Sequence, residues 1–315
     1  MNEEQRIARI ATILGRDVAH VTLGIGDDAA VLAPSDEPLV WSIDAAVEHV
    51  HFERAWLDIE ALGYRATMAA LSDLAAMGAR PVAVLAALVL PPSFADADLE
   101  ALARGQRRAA DELRTAIVGG NLARGGELSI TTTVLGTTKK ALARSGASPG
   151  QSVWLAGAVG LARAGLEALL HGIAVPDEHL EAWRRPRARI ESGLAAAAVA
   201  TAAIDVSDGL ALDAWRLAHA SDVALVIDRG GLIDEALEAA AARVGIAPLE
   251  LALHGGEDYA LLVTTPPDLA LGAGFRRIGR VTARAAERRD DEPLVWLDDG
   301  ASLVPVPPSG FDHFG

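Results

Sequence analysis

With 315 residues and 51% apolar side chains, the chain can bury a substantial core as one large domain or two. Acidic residues outnumber basic ones by 43 to 28, a formal net charge of −15, which argues against a nucleic-acid partner, because such a footprint is basic. No cysteine is present, so disulfides and thiolate chemistry are excluded and the reducing cytoplasm is the expected compartment.

Glu3 to Leu14 sets Ile7, Ile10, Ala11 and Leu14 at helical spacing and predicts a short amphipathic helix. Residues 1–20 lack the apolar centre of a signal peptide. Apolar runs such as Val82 to Leu90 are too short to cross a bilayer, so no membrane association is expected. Gly24-Ile25-Gly26-Asp27-Asp28 then leads into the apolar run Ala29 to Leu32. Adjacent carboxylates repel unless something positive is near, and glycine lets a ligand approach; a divalent-metal site and a plain Asp-rich turn both fit. Leu39 to Ile43 reads as a buried strand ending in Asp44. Glu48, His49 and His51 follow among Val47, Val50 and Phe52, a setting that suits a phosphate or substrate contact as well as an ordinary polar role. Trp56 to Met77 is an alanine-rich helix carrying Ser72 and Asp73, stopped by Gly78. Asp73, among Leu71, Leu74 and Ala75, either faces solvent or is compensated by a cation. A strand from Pro81 to Leu90 and a helix from Phe94 to Leu113 come next, with Asp96 and Asp98 suited to the helix N-terminus. Ile117-Val118 is a short strand into Gly119-Gly120-Asn121, and Leu128 to Val134 is a strand alternating with threonines.

Arg144 to Gly150 is turn-rich and is the expected linker, dividing residues 1–143 from 144–315. The second half opens with a strand from Val153 to Ala156 and a helix running to about His171. A helix from Pro186 to Ala202 is expected, with Arg184, Arg185, Arg187 and Arg189 at its start as a solvated charged face. Ile204-Asp205-Val206-Ser207-Asp208-Gly209 runs from an apolar strand into a helix from Leu210 to Ala220. An N-cap role accounts for Ser207 or Asp208, but not for Asp205 and Asp208 together. Val223 to Ile227 is a strand and Ile233 to Val244 a helix. His254-Gly255-Gly256-Glu257-Asp258-Tyr259 opens a strand from Ala260 to Thr264, and late strands are expected at Gly274 to Val281 and Pro293 to Leu297. The ending Gly310-Phe311-Asp312-His313-Phe314-Gly315 suggests a tail that docks. Lysine occurs only at 139 and 140 and no G-x-x-x-x-G-K-[ST] segment exists. Carboxylate-held Mg²⁺ is therefore the natural means of handling phosphate.

Seven segments, taken in order, resemble thiamine-monophosphate kinases, in the superfamily of aminoimidazole ribonucleotide synthetase and selenophosphate synthetase. They are Gly24 to Ala30, Val47 to Phe52, Leu71 to Ala79, Arg144 to Ala147, Ile204 to Leu210, Gly255 to Tyr259 and Gly310 to Phe314, so the resemblance spans essentially the whole chain. It implies an α/β fold of two domains: an N-terminal ATP- and metal-binding domain whose sheet pairs with that of a second copy into a homodimer barrel, and a C-terminal sheet covered by helices. It implies transfer of the ATP γ-phosphoryl group to thiamine monophosphate. Asp28, Ser42, Asp44, Asp73, Asp205 and Asp208 would be Mg²⁺ ligands by this resemblance. Gly120, Asn121, Arg144 and Ser207 would meet ATP, and His51, Glu257 and Phe311 thiamine monophosphate. Asp208 and Arg144 are the expected catalytic residues, with Arg144 steadying phosphate charge.

Three positions depart from the family pattern: Asn121 stands where aspartate is usual, Ala70 where asparagine is usual, and Ile43 where threonine is usual. Asparagine at 121 keeps an oxygen donor but brings no charge. The competing readings are another ATP-dependent enzyme of the superfamily and a catalytically weakened nucleotide-binding dimer.

Overall fold

The computed structural model describes residues 1–15, 18, 20–285 and 292–311, which form two compact units. The first comprises Met1–Leu74 and Ala79–Lys139. Its elements are α1 (Glu3–Leu14), β1 (Val21–Leu23), β2 (Val31–Leu32), β3 (Leu39–Val47), α2 (Ile59–Ala76, whose end joins the second unit), β4 (Arg80–Leu90), α3 (Asp96–Glu112), β5 (Ile117–Arg124) and β6 (Ser129–Thr137). The main sheet has the order β3-β6-β4-β5, with β4 and β5 parallel and the other pairs antiparallel.

Period-two alternation divides this sheet into two different faces. Val84, Ala86 and Leu88 of β4 and Ile130, Thr132 and Val134 of β6 are buried. The hydroxyl of Ser42, on the same face, donates a hydrogen bond to Asp73 of α2. Helices α2 and α3 approach closely where glycine replaces a side chain: a Cβ at Gly63 or Gly105 would overlap the backbone of the facing helix. The opposite face is open. Leu39, Trp41 and Ile43 of β3 are 63%, 72% and 65% exposed, so the expectation of a buried strand there is corrected. A continuous apolar run signals a strand buried on both sides only if both sides are covered. β3 also continues past Asp44 to Val47, and Gly119-Gly120-Asn121 lies inside β5 rather than after it. Parallel pairing with β4 holds those glycines extended, against their propensity.

The second unit comprises Ala75–Gly78 and Lys140–Gly315. Its described elements are β7 (Ser152–Ala156), α4 (Leu161–His171), α5 (Asp177–Arg184), α6 (Ile190–Ala197), β8 (Ala202–Val206), α7 (Leu210–Ser221), β9 (Val223–Asp228), α8 (Glu235–Val244), α9 (Pro248–His254), β10 (Ala260–Thr265), β11 (Phe275–Ala283), β12 (Val295–Asp298) and β13 (Leu303–Pro305). The seven-stranded sheet has the order β13-β12-β9-β11-β7-β10-β8, antiparallel except for β9 with β12. Ala164, Leu210, Leu217, Leu237 and Leu251 pack from α4, α7, α8 and α9 against one set of strand residues. Ala196 of α6 packs with the alternate set, including Leu261 and Val263, so the central strands are covered on both sides.

The long helix expected from Pro186 to Ala202 is only α6, and α5 precedes it. Pro186 and the extended backbone it imposes on its predecessor break the helical run. Arg184 therefore closes α5 and Arg185 caps it, instead of opening a helix.

Candidate active site

In the first unit, a cavity of about 1180 Å³ lies on the open sheet face, between the Gly24 to Ala30 loop, α1 and residues of β3 to β6. Asp28, Gly120 and Asn121 line it together with Trp41 and Ile43. Gly120 is required by close approach: a Cβ there would overlap the Ala86 carbonyl on β4. Asn121 is in register with Ala87 and lies on this open side.

Ser42 and Asp44 lie on the other side of the sheet, facing α2. Asp73 accepts the Ser42 hydroxyl. Asp44 is the cross-strand partner of Thr132, whose hydroxyl is buried without a hydrogen-bond partner among the described residues. This is an oxygen-only donor set beside an orphaned buried hydroxyl, which fits a hard cation such as Mg²⁺. The structure thus brings Ser42, Asp44 and Asp73 to one face of the sheet, with Gly120 in the Asp44 row through Ala86 and Thr132, and Asp28 and Asn121 to the other. Ile43 points to the open face, so only its backbone is available on the carboxylate side.

His51 sits in the turn after β3, where its Nδ1 accepts the Val47 N–H at 3.1 Å. A neutral ring then carries its proton on Nε2. Glu48 anchors that turn: its buried carboxylate accepts from Arg54 Nε at 2.5 Å and from the Leu128 N–H at 3.1 Å. Burial alone would raise its pKa, but the Arg54 guanidinium and the Leu128 N–H outweigh burial and hold it below the usual carboxylate value.

In the second unit, β8 carries buried Asp205 and passes into Ser207-Asp208-Gly209 before α7. Glycines meet around this turn. A Cβ at Gly209, Gly256 or Gly310 would press on the backbone of His254, Ser207 or Asp208 respectively. The Glu257 N–H donates to the Ser207 carbonyl at 2.6 Å, and the Phe311 N–H to the Asp208 carbonyl at 3.0 Å. Ser207, Asp208, Glu257 and Phe311 are thereby gathered, with Asp205 one strand residue away. Asp312 to Phe314 of the expected docking tail lie outside the described residues. Arg144 is exposed in the segment before β7, and its carbonyl accepts the Ser221 hydroxyl at 2.9 Å.

Three residues that sequence reasoning passed over, Asp213, Arg216 and Trp183, organise this turn and the Glu257 loop beside it. Asp213, 1% exposed, accepts the N–H groups of Ser207 at 3.1 Å and Asp208 at 3.0 Å. Arg216 Nη1 bridges Asp213 Oδ1 at 2.7 Å and Asp208 Oδ2 at 2.5 Å. Burial pushes the Asp213 carboxyl up to about 6, aided by the Asp208 charge and opposed by the Asp208 N–H and by Arg216. The signal was legible: Asp213 is an acid on the apolar stripe of Leu210, Ala214 and Leu217. The third residue is Trp183 of α5, whose indole N–H donates to Glu257 Oε2 at 2.5 Å. No local pattern marks that contact. Asp258, half-buried, accepts the N–H groups of Gly160 and Ala162 at the start of α4, and desolvation pushes its carboxyl up to about 7.

Residues 26–138 match the family of AIR synthase related proteins, N-terminal domain. The first unit, with its four-stranded sheet and carboxylate-bearing strand and helix, is of that class. The thiamine-monophosphate kinase of Escherichia coli strain K12 is 36% identical, over 93% of this chain and 92% of its own length. The crystal structure of the thiamine-monophosphate kinase of Stenotrophomonas maltophilia K279a superposes with a TM-score of 0.81 at 33% identity, covering 95% of this chain and 97% of that one. A structure described as AaThiL complexed with AMPPCP and TMP also gives 0.81, at 32% identity, covering 99% and 97%. The chain belongs to the thiamine-monophosphate kinase family.

Proposed function

We propose that this protein phosphorylates thiamine monophosphate with ATP, giving thiamine diphosphate and ADP by direct in-line transfer. The observation that carries the reading is the 32% identity, over 99% of the chain, to a structure that holds an ATP analogue together with TMP. The acceptor is a phosphate oxygen. A phosphate monoester has its second pKa at about 6 and is already ionised at neutral pH, so no general base is assigned and no phosphoenzyme is expected. Phosphoryl transfer then demands mainly alignment and charge stabilisation.

Ser42, Asp44 and Asp73 in the first unit, with Asp28, and Asp205 and Asp208 in the second, are the residues we assign to Mg²⁺. When bound, the metal supplies positive charge that offsets the repulsion between two phosphate-bearing substrates and an acidic protein. Gly120, Asn121 and Ser207 are assigned to ATP, and Arg144 to the migrating phosphoryl charge. His51, with its proton on Nε2, Glu257 and Phe311 are assigned to thiamine monophosphate, with Glu257 at its cationic organic end.

A homodimer is part of the proposal. β3 is an edge strand with a row of exposed apolar side chains, Leu39, Trp41 and Ile43, on an otherwise open sheet face. Such a patch is what a second copy of the same surface would cover. Among the described residues no helix is long and apolar enough to cross a membrane, and we place the enzyme in the cytoplasm, where ATP is available. ADP release measured with Mg²⁺ and ATP, with and without thiamine monophosphate, tests the reading. Release that requires thiamine monophosphate is expected; folded protein that releases none refutes it.

A further inference from the structure

We propose that Trp183 is a positioning residue for the organic substrate: its buried indole N–H fixes the Glu257 carboxylate in the orientation that receives thiamine monophosphate. The inference rests on the assignment of Glu257 to that substrate and extends it to a residue on another element. Trp183 is fully buried on α5. A buried indole N–H needs an acceptor, and here the acceptor is one oxygen of a carboxylate at 2.5 Å, a charge-assisted bond.

The acceptor loop is independently unusual. Gly256, Glu257 and Tyr259 have φ of +77°, +60° and +48°. Two non-glycine residues in the left-handed region store strain that the surroundings must over-determine, and such strain collects at functional sites. The surroundings do so through four contacts. The Ser207 carbonyl accepts the Glu257 N–H and the Val206 carbonyl accepts the Tyr259 N–H at 2.8 Å. Asp258 is spent on the start of α4. Trp183 acts on the Glu257 side chain itself, through its indole N–H. Its own place is fixed by tight packing of α5 on α4: a Cβ at Gly165 would overlap the His179 carbonyl at 2.7 Å and would sit in van der Waals contact with Trp183 Cβ at 3.5 Å. A carboxylate held by a buried donor has its remaining acceptor directions set. A rotating one would meet a cationic ring in several ways and lose entropy on binding it.

The test separates this role from a merely structural one. Trp183→Phe keeps an aromatic ring and removes the donor. The expected result is a rise of about tenfold in KM for thiamine monophosphate, the size of a lost hydrogen bond to a charged group, with KM for ATP changed less than twofold. Glu257→Ala should raise the same KM, and the double variant should be no worse than Glu257→Ala alone. Equal changes in both KM values, an unchanged KM for thiamine monophosphate in Trp183→Phe, or additive effects in the double variant overturn the proposal. If Glu257→Ala leaves that KM unchanged, the substrate assignment itself fails, and the proposal with it.

Because the phenylalanine variant of a buried residue can fail to fold, a second measurement uses the native tryptophan. Among the six indole N–H resonances of the ¹⁵N-labelled chain, one should lie far downfield and move upfield in Glu257→Ala. Six resonances unmoved by Glu257→Ala overturn the proposal without any change at Trp183.

Discussion

Replacing Asp213 by asparagine should make the protein more tolerant of alkaline pH while impairing its chemistry. The carboxyl is buried beneath the Ser207-Asp208 turn and titrates at about 6 instead of 3.8. A raised carboxyl pKa means that the folded state holds the proton longer than the unfolded one. The contribution of this carboxyl to stability is therefore full below pH 3.8, declines as pH rises from there and is lost above about 6. The full difference of about 2 pH units corresponds to about 3 kcal/mol, and about half of it falls between pH 5 and pH 8. Asparagine does not titrate and keeps an oxygen for the Ser207 and Asp208 N–H groups. The midpoint of thermal unfolding of Asp213→Asn, relative to the unchanged protein, should therefore rise by roughly 3–6 °C between pH 5 and pH 8, on the scale expected for a unit of 150–250 residues. At the same time Arg216 loses one of its two carboxylate partners, so Asp208 is held less firmly and the rate of ADP release should fall. A gain in stability with a loss of activity is the signature of a residue kept for function. A midpoint difference that does not change with pH, or an asparagine variant less stable at pH 8 than at pH 5 relative to the original, would refute the reasoning that burial dominates this carboxyl.

Two further outcomes follow from the geometry. Trp41→Glu alters a side chain that the single chain leaves 72% exposed, so the fold should lose less than about 0.5 kcal/mol while the dimer dissociates, as read by light scattering coupled to size exclusion; an unchanged dimer mass overturns the assignment of this face. Glu48→Gln should show the opposite pH trend to Asp213. The Glu48 carboxyl lies below its ordinary value of 4.5, so its contribution is present above that pH and is lost as pH falls through the folded pKa. The variant should be less stable at pH 7 by roughly 1–3 kcal/mol, the gap narrowing below pH 4.5 in the same thermal titration; a constant gap rejects the ion pair with Arg54 as its cause.

Much of the architecture was written locally. Helix α1 begins and ends where the spacing of Ile7, Ile10 and Leu14 places it. Gly78 stops α2 with φ of +62°, and α7 starts just after Gly209. In the first unit, long-range pairing overrode local preference. β5 runs through two glycines because β4 lies beside it. The apolar run at Leu39 to Ile43 gave no hint that one of its sides is uncovered. Helix α9 is short and was passed over between louder signals, although Pro248 marks its start. For the site, acids beside glycines were legible one motif at a time, and their grouping was not. No spacing rule tells that Ser42 meets Asp73 and that Asn121 lies across the sheet from both. Trp183 was out of reach for the same reason, since its partner is 74 residues away.

The Gly310 crossing has a bearing on how the polypeptide matures. Any side chain at 310 would collide with the Asp208 carbonyl, and the very next amide, that of Phe311, binds this carbonyl. The ribosome makes Asp208 about a hundred residues earlier, which at ordinary elongation rates is roughly 5–20 s. During that interval the turn can form with Asp213 and Arg216 beneath it, but its outer carbonyl waits in water. The turn is thus completed only after residues 310 and 311 have been made, and a nascent chain stalled before residue 310 would leave the Asp208 carbonyl without its Phe311 amide.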